Sequence, residues 1–156
     1  MATLREVIRS THRILEAEDI PDPRLEAEVM VMSHMRMPRQ DIFSNQENEV
    51  SPQQERELAS TVERRLTREP LAYILGIREF YGINLLVNSD ALIPRPETEI
   101  LVQIALDRLA DLTAPRVLDL GCGSGAIALA IAQEHPSAQL TATDISPQAL
   151  EVTQQN

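Results

Sequence analysis

Apolar residues in the first part of the chain recur at helical spacing. Leu4, Val7, Ile8 and Thr11, continued by Ile14 and Leu15, line one side of a first helix. Asp22-Pro23 opens a second, with an N-cap residue type followed by Pro at the first helical position. Leu25, Val29, Met32 and Met35 give its stripe, and the flexible thioethers of Met30, Met32, Met35 and Met37 suit an irregular helical core. A short turn is expected over residues 38–43, then a polar stretch to residue 50. Ser51, with Gln54 three residues on, is a capping-box start, and Leu58, Val62 and Leu66 predict the buried face of a third helix. Residues 70–75 add an apolar turn stopped by Gly76. Residues 1–76 therefore read as a small helical bundle without a catalytic constellation.

The period then changes. Residues 77–81 and 83–87 are short β-rich runs on either side of Gly82, with a turn cluster at Asn88-Ser89-Asp90, so residues 77–93 are expected to form a β-hairpin linking two domains. Two prolines and an acidic first turn in Ile93-Pro94-Arg95-Pro96-Glu97-Thr98-Glu99 predict a helix reaching about Leu112. Ile100, Leu101, Ile104, Ala105, Leu106 and Leu109 are placed on or near its buried side. From Pro115 the order is strand (116–120), glycine loop, helix (123–135), strand (139–143) and a second helix capped by Ser146-Pro147. This is the βαβ start of a parallel sheet, so the fold class is α/β overall. Two strands leave their apolar faces and edges uncovered, and the sheet is expected to be incomplete within residues 94–156.

Hydrophobic residues make up 43% of the 156 residues but aromatics only 3%, so aliphatic side chains must fill the core. All 14 basic residues are Arg. With no Lys, a Walker A phosphate loop and Schiff-base chemistry are excluded from these residues. A net charge of −10 disfavours direct binding to nucleic acid or to anionic lipid. Cys122 is the only cysteine, which excludes an internal disulfide and a multi-cysteine metal site. His12, His34 and His135 show no metal spacing and are read as helix-surface or boundary residues. The N-terminus is charged early, and the longest apolar run, residues 126–132, is far short of a membrane span. A cytoplasmic monomer is expected.

The chemistry concentrates in Val117-Leu118-Asp119-Leu120-Gly121-Cys122-Gly123-Ser124-Gly125. A buried strand ends in a loop where Gly121 can take a positive φ and Gly123 lets the backbone approach a ligand, while the next helix presents free N–H groups. Asp144, 19 residues after Gly125 at the end of the next strand, is placed to accept hydrogen bonds from ribose hydroxyls. A dinucleotide also fits Gly121, Gly123 and Ala126, which makes an NAD-dependent oxidoreductase the competing reading. Asp119 separates the two. Beside a pyrophosphate this carboxylate meets like-charge repulsion, whereas S-adenosylmethionine carries a sulfonium and an ammonium group and no phosphate. Cys122 is read as a small residue filling the turn, since no base stands near it in sequence.

Three further stretches narrow the enzyme. Arg68-Glu69-Pro70-Leu71-Ala72-Tyr73-Ile74-Leu75-Gly76, Glu79-Phe80-Tyr81-Gly82 and Leu92-Ile93-Pro94-Arg95-Pro96-Glu97-Thr98-Glu99, followed by residues 119–125, resemble the HemK/PrmC-type peptide-chain release factor glutamine N5-methyltransferases. The resemblance implies a helical substrate-recognition domain over residues 1–76, a hairpin linker, and the start of a Rossmann-type methyltransferase domain. It implies S-adenosyl-L-methionine as cofactor and, as protein substrate, a class I peptide-chain release factor, methylated on the glutamine of its Gly-Gly-Gln loop. On the same basis Asp119, Gly121, Cys122, Gly123, Ser124, Gly125 and Asp144 bind the cofactor, and residues 95–99 lie near the active site or simply start a helix. The family's Asn-Pro-Pro-Tyr motif, which grips the substrate amide, does not occur here. No catalytic residue is assigned, and these 156 residues alone are not expected to transfer a methyl group. Residues 1–76 by themselves also fit a non-catalytic protein-binding module.

Overall fold

Helix α1 (Leu4–Ala17) starts at a reciprocal cap: the Thr3 hydroxyl accepts from the Glu6 N–H, and the Glu6 carboxylate accepts from the Thr3 N–H. The computed structural model describes residues 1–156 and continues with α2 (Pro23–Met35), α3 (Arg39–Ser44), α4 (Pro52–Leu66) and α5 (Leu71–Leu75). The capping box expected at Ser51 and Gln54 forms at the start of α4. Asp22 precedes α2 in a left-handed conformation and its side chain makes no cap hydrogen bond. Residues 38–43, expected as a turn, are instead helical from Arg39 onward, because Ile42 is fully buried and anchors α3 against the core.

The expected stripe of α2 is corrected. Ala27, Met30 and Val31 are its buried apolar residues, Met32 and Met35 are half-buried, and Leu25 is 53% exposed. The reason is that α2 packs against α1, α3, α4 and α5, so it is covered on several sides and no single stripe describes it. Two of its acids are drawn inward by arginines. Glu28 is buried, with Arg24 Nε 3.3 Å from Oε1 and Arg39 Nη2 2.9 Å from Oε2. Arg65 of α4 meets Glu26 with both nitrogens of its fork, Nε at 2.7 Å and Nη2 at 3.1 Å, and donates Nη1 to the Glu69 carbonyl at 3.2 Å. His34 and Thr61 make a further contact between α2 and α4, 2.8 Å from ring Nε2 to hydroxyl.

The chain divides into two compact units, Met1–Leu75 and Gly76–Asn156. In the second, β1 (Ile77–Phe80) and β2 (Ile83–Leu86) pair antiparallel, Ile77 opposite Leu86 and Phe80 opposite Ile83. Tyr81 and Gly82 connect them, both at positive φ (51° and 75°), as a two-residue primed turn requires. Phe80 and Leu85 then bury their side chains with Val102, Ala126, Ala130 and Ile131.

A single 3-10 turn (Pro96–Thr98) leads into α6 (Glu99–Leu109). This helix is shorter than expected and its buried face differs. Only Val102 is buried, Ala105, Leu106 and Leu109 are half-buried, and Ile100, Leu101 and Ile104 are 65%, 52% and 51% exposed. Helix α6 packs against α7, and Val102, Glu99 and Gln103 meet the hairpin, while Ile100, Leu101 and Ile104 stay largely uncovered within these residues. Its end at Leu109 is closed by the carbonyl of that residue, which lies 3.2 Å from His135 Nε2.

Strand β3 (Arg116–Leu120), helix α7 (Ala126–Glu134), strand β4 (Gln139–Thr143) and helix α8 (Pro147–Gln155) complete the unit. The two strands are parallel, with Arg116 beside Gln139 and Leu120 beside Thr143. Val117 and Leu140 pack toward the α7 core, whereas Leu118 and Leu120 are 58% and 75% exposed. Strand β3, expected as buried, is thus covered on one face only. The architecture is α/β: a helical bundle, a hairpin, and a parallel βαβ unit of Rossmann type followed by a helix.

The Glu26–Arg65 pair yields a stability test. Arg65→Ala strands a half-buried carboxylate and should cost about 3 kcal/mol in urea denaturation, whereas replacing both partners by Leu and Met should recover most of that loss. A single-mutant loss no larger than that of an exposed ion pair would show that the pair contributes little.

Candidate functional site

The loop after β3 is shaped by hydrogen bonds that continue the parallel ladder. Gly121 and Cys122 both donate their N–H to the Thr143 carbonyl, at 2.8 and 3.0 Å, and Gly125 N–H donates to the Cys122 carbonyl at 2.8 Å. Gly121, Gly123 and Gly125 all have positive φ. At Gly125 glycine is obligatory twice over: φ is +81°, and a Cβ there would lie 2.8 Å from Thr153 Cγ2. Above Gly121 and Gly123 the space is open, with nothing within 4 Å of a Cβ position. Helix α7 starts immediately at Ala126 with Gly125 as its N-cap, and its first-turn N–H groups face the loop.

Asp144 stands where β4 ends. Its Oδ2 accepts from the Gly123 N–H at 2.9 Å and its Oδ1 from the Ser146 N–H at 3.0 Å. These donors, Ser146 first and Gly123 second, hold its carboxyl below the usual aspartate range, so it is ionised. Two oxygens offer about four lone-pair positions, so hydroxyls can still be accepted. Helix α8 needs no help from Asp144, because the Ser146 hydroxyl caps it by accepting from the Ala149 N–H at 3.2 Å.

Asp119 has the opposite environment. It is half-buried at the end of β3, and its Oδ2 is a buried atom without a hydrogen-bond partner. Burial pushes its pKa up, the backbone N–H of Ala128 in α7 works against that shift, and the Asp144 charge adds to it. A buried acceptor without a donor is costly, and a second anion beside it would be costlier. The arrangement favours a cation or a hydrogen-bond donor over a phosphate.

The structure therefore gathers Asp119, residues 121–125 and Asp144 around one loop. Cys122 and Ser124 are buried, 8% and 2% exposed, so their side chains are packed within the fold. The Cys122 sulfur lies 3.5 Å from Thr153 Oγ1, a neutral packing contact that fits its reading as a turn filler. Two features were missed by sequence reasoning. Ile145, beside Asp144, is wholly exposed, as an apolar platform for a flat ring would be; an apolar residue directly after the acid was the available signal. Glu99 carries a structural task, accepting from the Tyr81 N–H at 3.0 Å, while Arg95, Pro96 and Glu97 are exposed. The chain's three histidines and single cysteine form no group that could hold a metal ion.

Comparison with known proteins bears directly on this loop and on the bundle before it. A family model described as the PrmC N-terminal domain matches residues 6–76, and one described as the methyltransferase small domain matches residues 96–156. A release factor glutamine methyltransferase of Koribacter versatilis (strain Ellin345) is 41% identical over 154 residues, 99% of this chain and 55% of that protein. One of Coxiella burnetii (strain RSA 493 / Nine Mile phase I) is 46% identical over 134 residues, 86% of this chain and 48% of that protein. One of Bordetella pertussis (strain Tohama I / ATCC BAA-589 / NCTC 13251) is 46% identical over 134 residues, 86% of this chain and 50% of that protein. The chain spans about half the length of the curated relatives it matches. The two matched domains follow in order on either side of the hairpin, and the glycine loop with its two carboxylates falls inside the second; the chain thus carries a PrmC N-terminal domain followed by a methyltransferase small domain, and over nearly its whole length it is similar to release factor glutamine methyltransferases.

Proposed function

We propose that residues 94–156 form the donor side of an S-adenosyl-L-methionine site, in a protein that methylates the side-chain amide of the Gly-Gly-Gln glutamine in class I release factors. The observation that carries this reading is the buried, unpartnered Oδ2 of Asp119 at the end of the strand that leads into the glycine loop, which has open space at Gly121 and Gly123. S-adenosylmethionine supplies a methyl group activated by its positively charged sulfur. Asp119 offers the negative charge that its ammonium end lacks in water-poor surroundings. Asp144 is ionised and aimed to accept from the ribose hydroxyls, and Ile145 offers an apolar surface for the adenine ring.

The acceptor side is a different chemical problem. An amide nitrogen is a weak nucleophile, and orienting acceptors must supply much of the acceleration by positioning. The sequence resemblance assigns that task to an Asn-Pro-Pro-Tyr motif, which these residues do not contain. We therefore assign residues 1–156 no transfer activity of their own, and residues 1–76 the task of recognising the protein substrate. No helix is long and apolar enough to cross a membrane. The net charge of −10 favours protein over nucleic acid as the direct partner.

Calorimetry on the full-length protein tests the donor site: S-adenosylmethionine should bind and NAD should not, and the reverse result would overturn the assignment. Asp144→Ala should weaken S-adenosylmethionine binding by about 10- to 100-fold, the worth of hydrogen bonds to a charged group. Asp119 gives a pH signature. A bound cation favours its ionised form, so affinity should be complete above the raised Asp119 pKa and decline as pH falls through it. Asp119→Asn should bind more weakly and flatten that decline; an unchanged pH profile would remove Asp119 from the site. Residues 1–156 alone should give no methylated release factor in a radiolabel transfer assay, and measurable turnover would show that the acceptor groups lie within them.

A further inference from the structure

The last turn of α8 reaches the glycine loop through side chains that the donor-site reading does not use. Thr153 Oγ1 donates to the Gly123 carbonyl at 2.8 Å. Asn156 Nδ2 donates to the Ser124 carbonyl at 3.0 Å and also to the Leu86 carbonyl of β2 at 3.0 Å. The Leu86 N–H returns a hydrogen bond to Asn156 Oδ1 at 2.6 Å. The Asn156 carboxamide thus imitates a peptide unit on the free edge of β2, offering one donor and one acceptor to one residue.

Because a trans peptide points its C=O and N–H in opposite directions, each carbonyl drawn toward α8 turns the following N–H away from it. Capture of the Gly123 carbonyl by Thr153 therefore turns the Ser124 N–H away from α8. The Gly123 N–H is fixed separately by Asp144. Thr153 Cγ2 also occupies the space where a Gly125 Cβ would lie. A neutral hydroxyl and a neutral amide, both half-buried, thereby set the direction of the loop's backbone groups.

We propose that Thr153 and Asn156 are positioning residues for the donor. Thr153 fixes the peptide plane between Gly123 and Ser124, and Asn156 ties that loop to hairpin strand β2. The inference rests on the donor-site reading, and its specific content is that these residues act on the amino-acid end of S-adenosylmethionine, which lies over the loop. The adenosine end rests on Asp144 and Ile145.

The test compares two ligands on the full-length protein, S-adenosylmethionine and adenosine. Thr153→Val keeps the shape and the Cγ2 contact but removes the hydroxyl donor. It should raise the Kd for S-adenosylmethionine about five- to tenfold, the worth of one neutral hydrogen bond, and leave adenosine binding unchanged. Thr153→Ser, which keeps the hydroxyl, should restore the wild-type Kd. Asn156→Ala should show the same ligand-selective loss; should that variant fail to fold, the Thr153 pair still decides. Equal weakening for both ligands, or wild-type affinity for S-adenosylmethionine in Thr153→Val, overturns the inference while leaving the donor site intact. Failure of the wild-type protein to bind S-adenosylmethionine overturns the donor-site reading itself.

Discussion

Both backbone polar groups of Gly123 are held by side chains from later elements, and the second unit is organised around that grip. The N–H goes to Asp144, 21 residues on, and the carbonyl to Thr153. Neither partner would be in reach without the parallel pairing of β3 and β4, which places the ends of both strands side by side. That pairing requires the crossover through α7, and α7 in turn starts within the loop at Gly125. Loop, helix and second strand form one closed set of constraints, and a short stretch rich in glycine keeps a single shape because of it.

The outline of this set was legible in the sequence because its determinants are local. Positive φ at three positions asks for Gly121, Gly123 and Gly125; the strand bounds follow from apolar runs, and Ser146 announces α8. The Ser51–Gln54 box was legible for the same reason, and so was the break at Gly82, although Tyr81, read as strand, belongs to the turn. What escaped was set by neighbours distant in sequence. The register of the α2 stripe failed because α2 is covered on several sides, and because Arg65 and Arg39, on other helices, pair with Glu26 and Glu28 on its inward faces. The face of α6 failed because an apolar stripe predicts burial, whereas Ile100, Leu101 and Ile104 stay half or more exposed within these residues.

The arginine-only composition bears on that failure. A guanidinium presents a rigid fork that can satisfy both oxygens of a carboxylate, as Arg65 does for Glu26, whereas an ammonium is a point charge. A carboxylate on an inward face is therefore tolerated where an arginine on another helix matches it. Such a pair fixes how α2 and α4 slide past one another more than it adds stability, since two apolar residues could fill the same volume at little cost.

The two carboxylates of the glycine loop put the opposite principle to use. Asp144 is surrounded by donors and sits below its usual range, while Asp119, with one oxygen buried and unpartnered, sits above it. A fold under selection for stability alone has no reason to keep Asp119, because an apolar side chain there would remove the desolvation penalty. The penalty is offset only by a partner that the chain does not itself provide. Any ligand bringing a donor or a positive charge to that oxygen binds the folded state and not the unfolded one, so it recovers the cost as stability of the complex. Under the proposed donor-site reading, the unsatisfied oxygen is a cost within these residues that a cationic ligand would offset. An anionic one would find the same loop geometry and be rejected by the same charge.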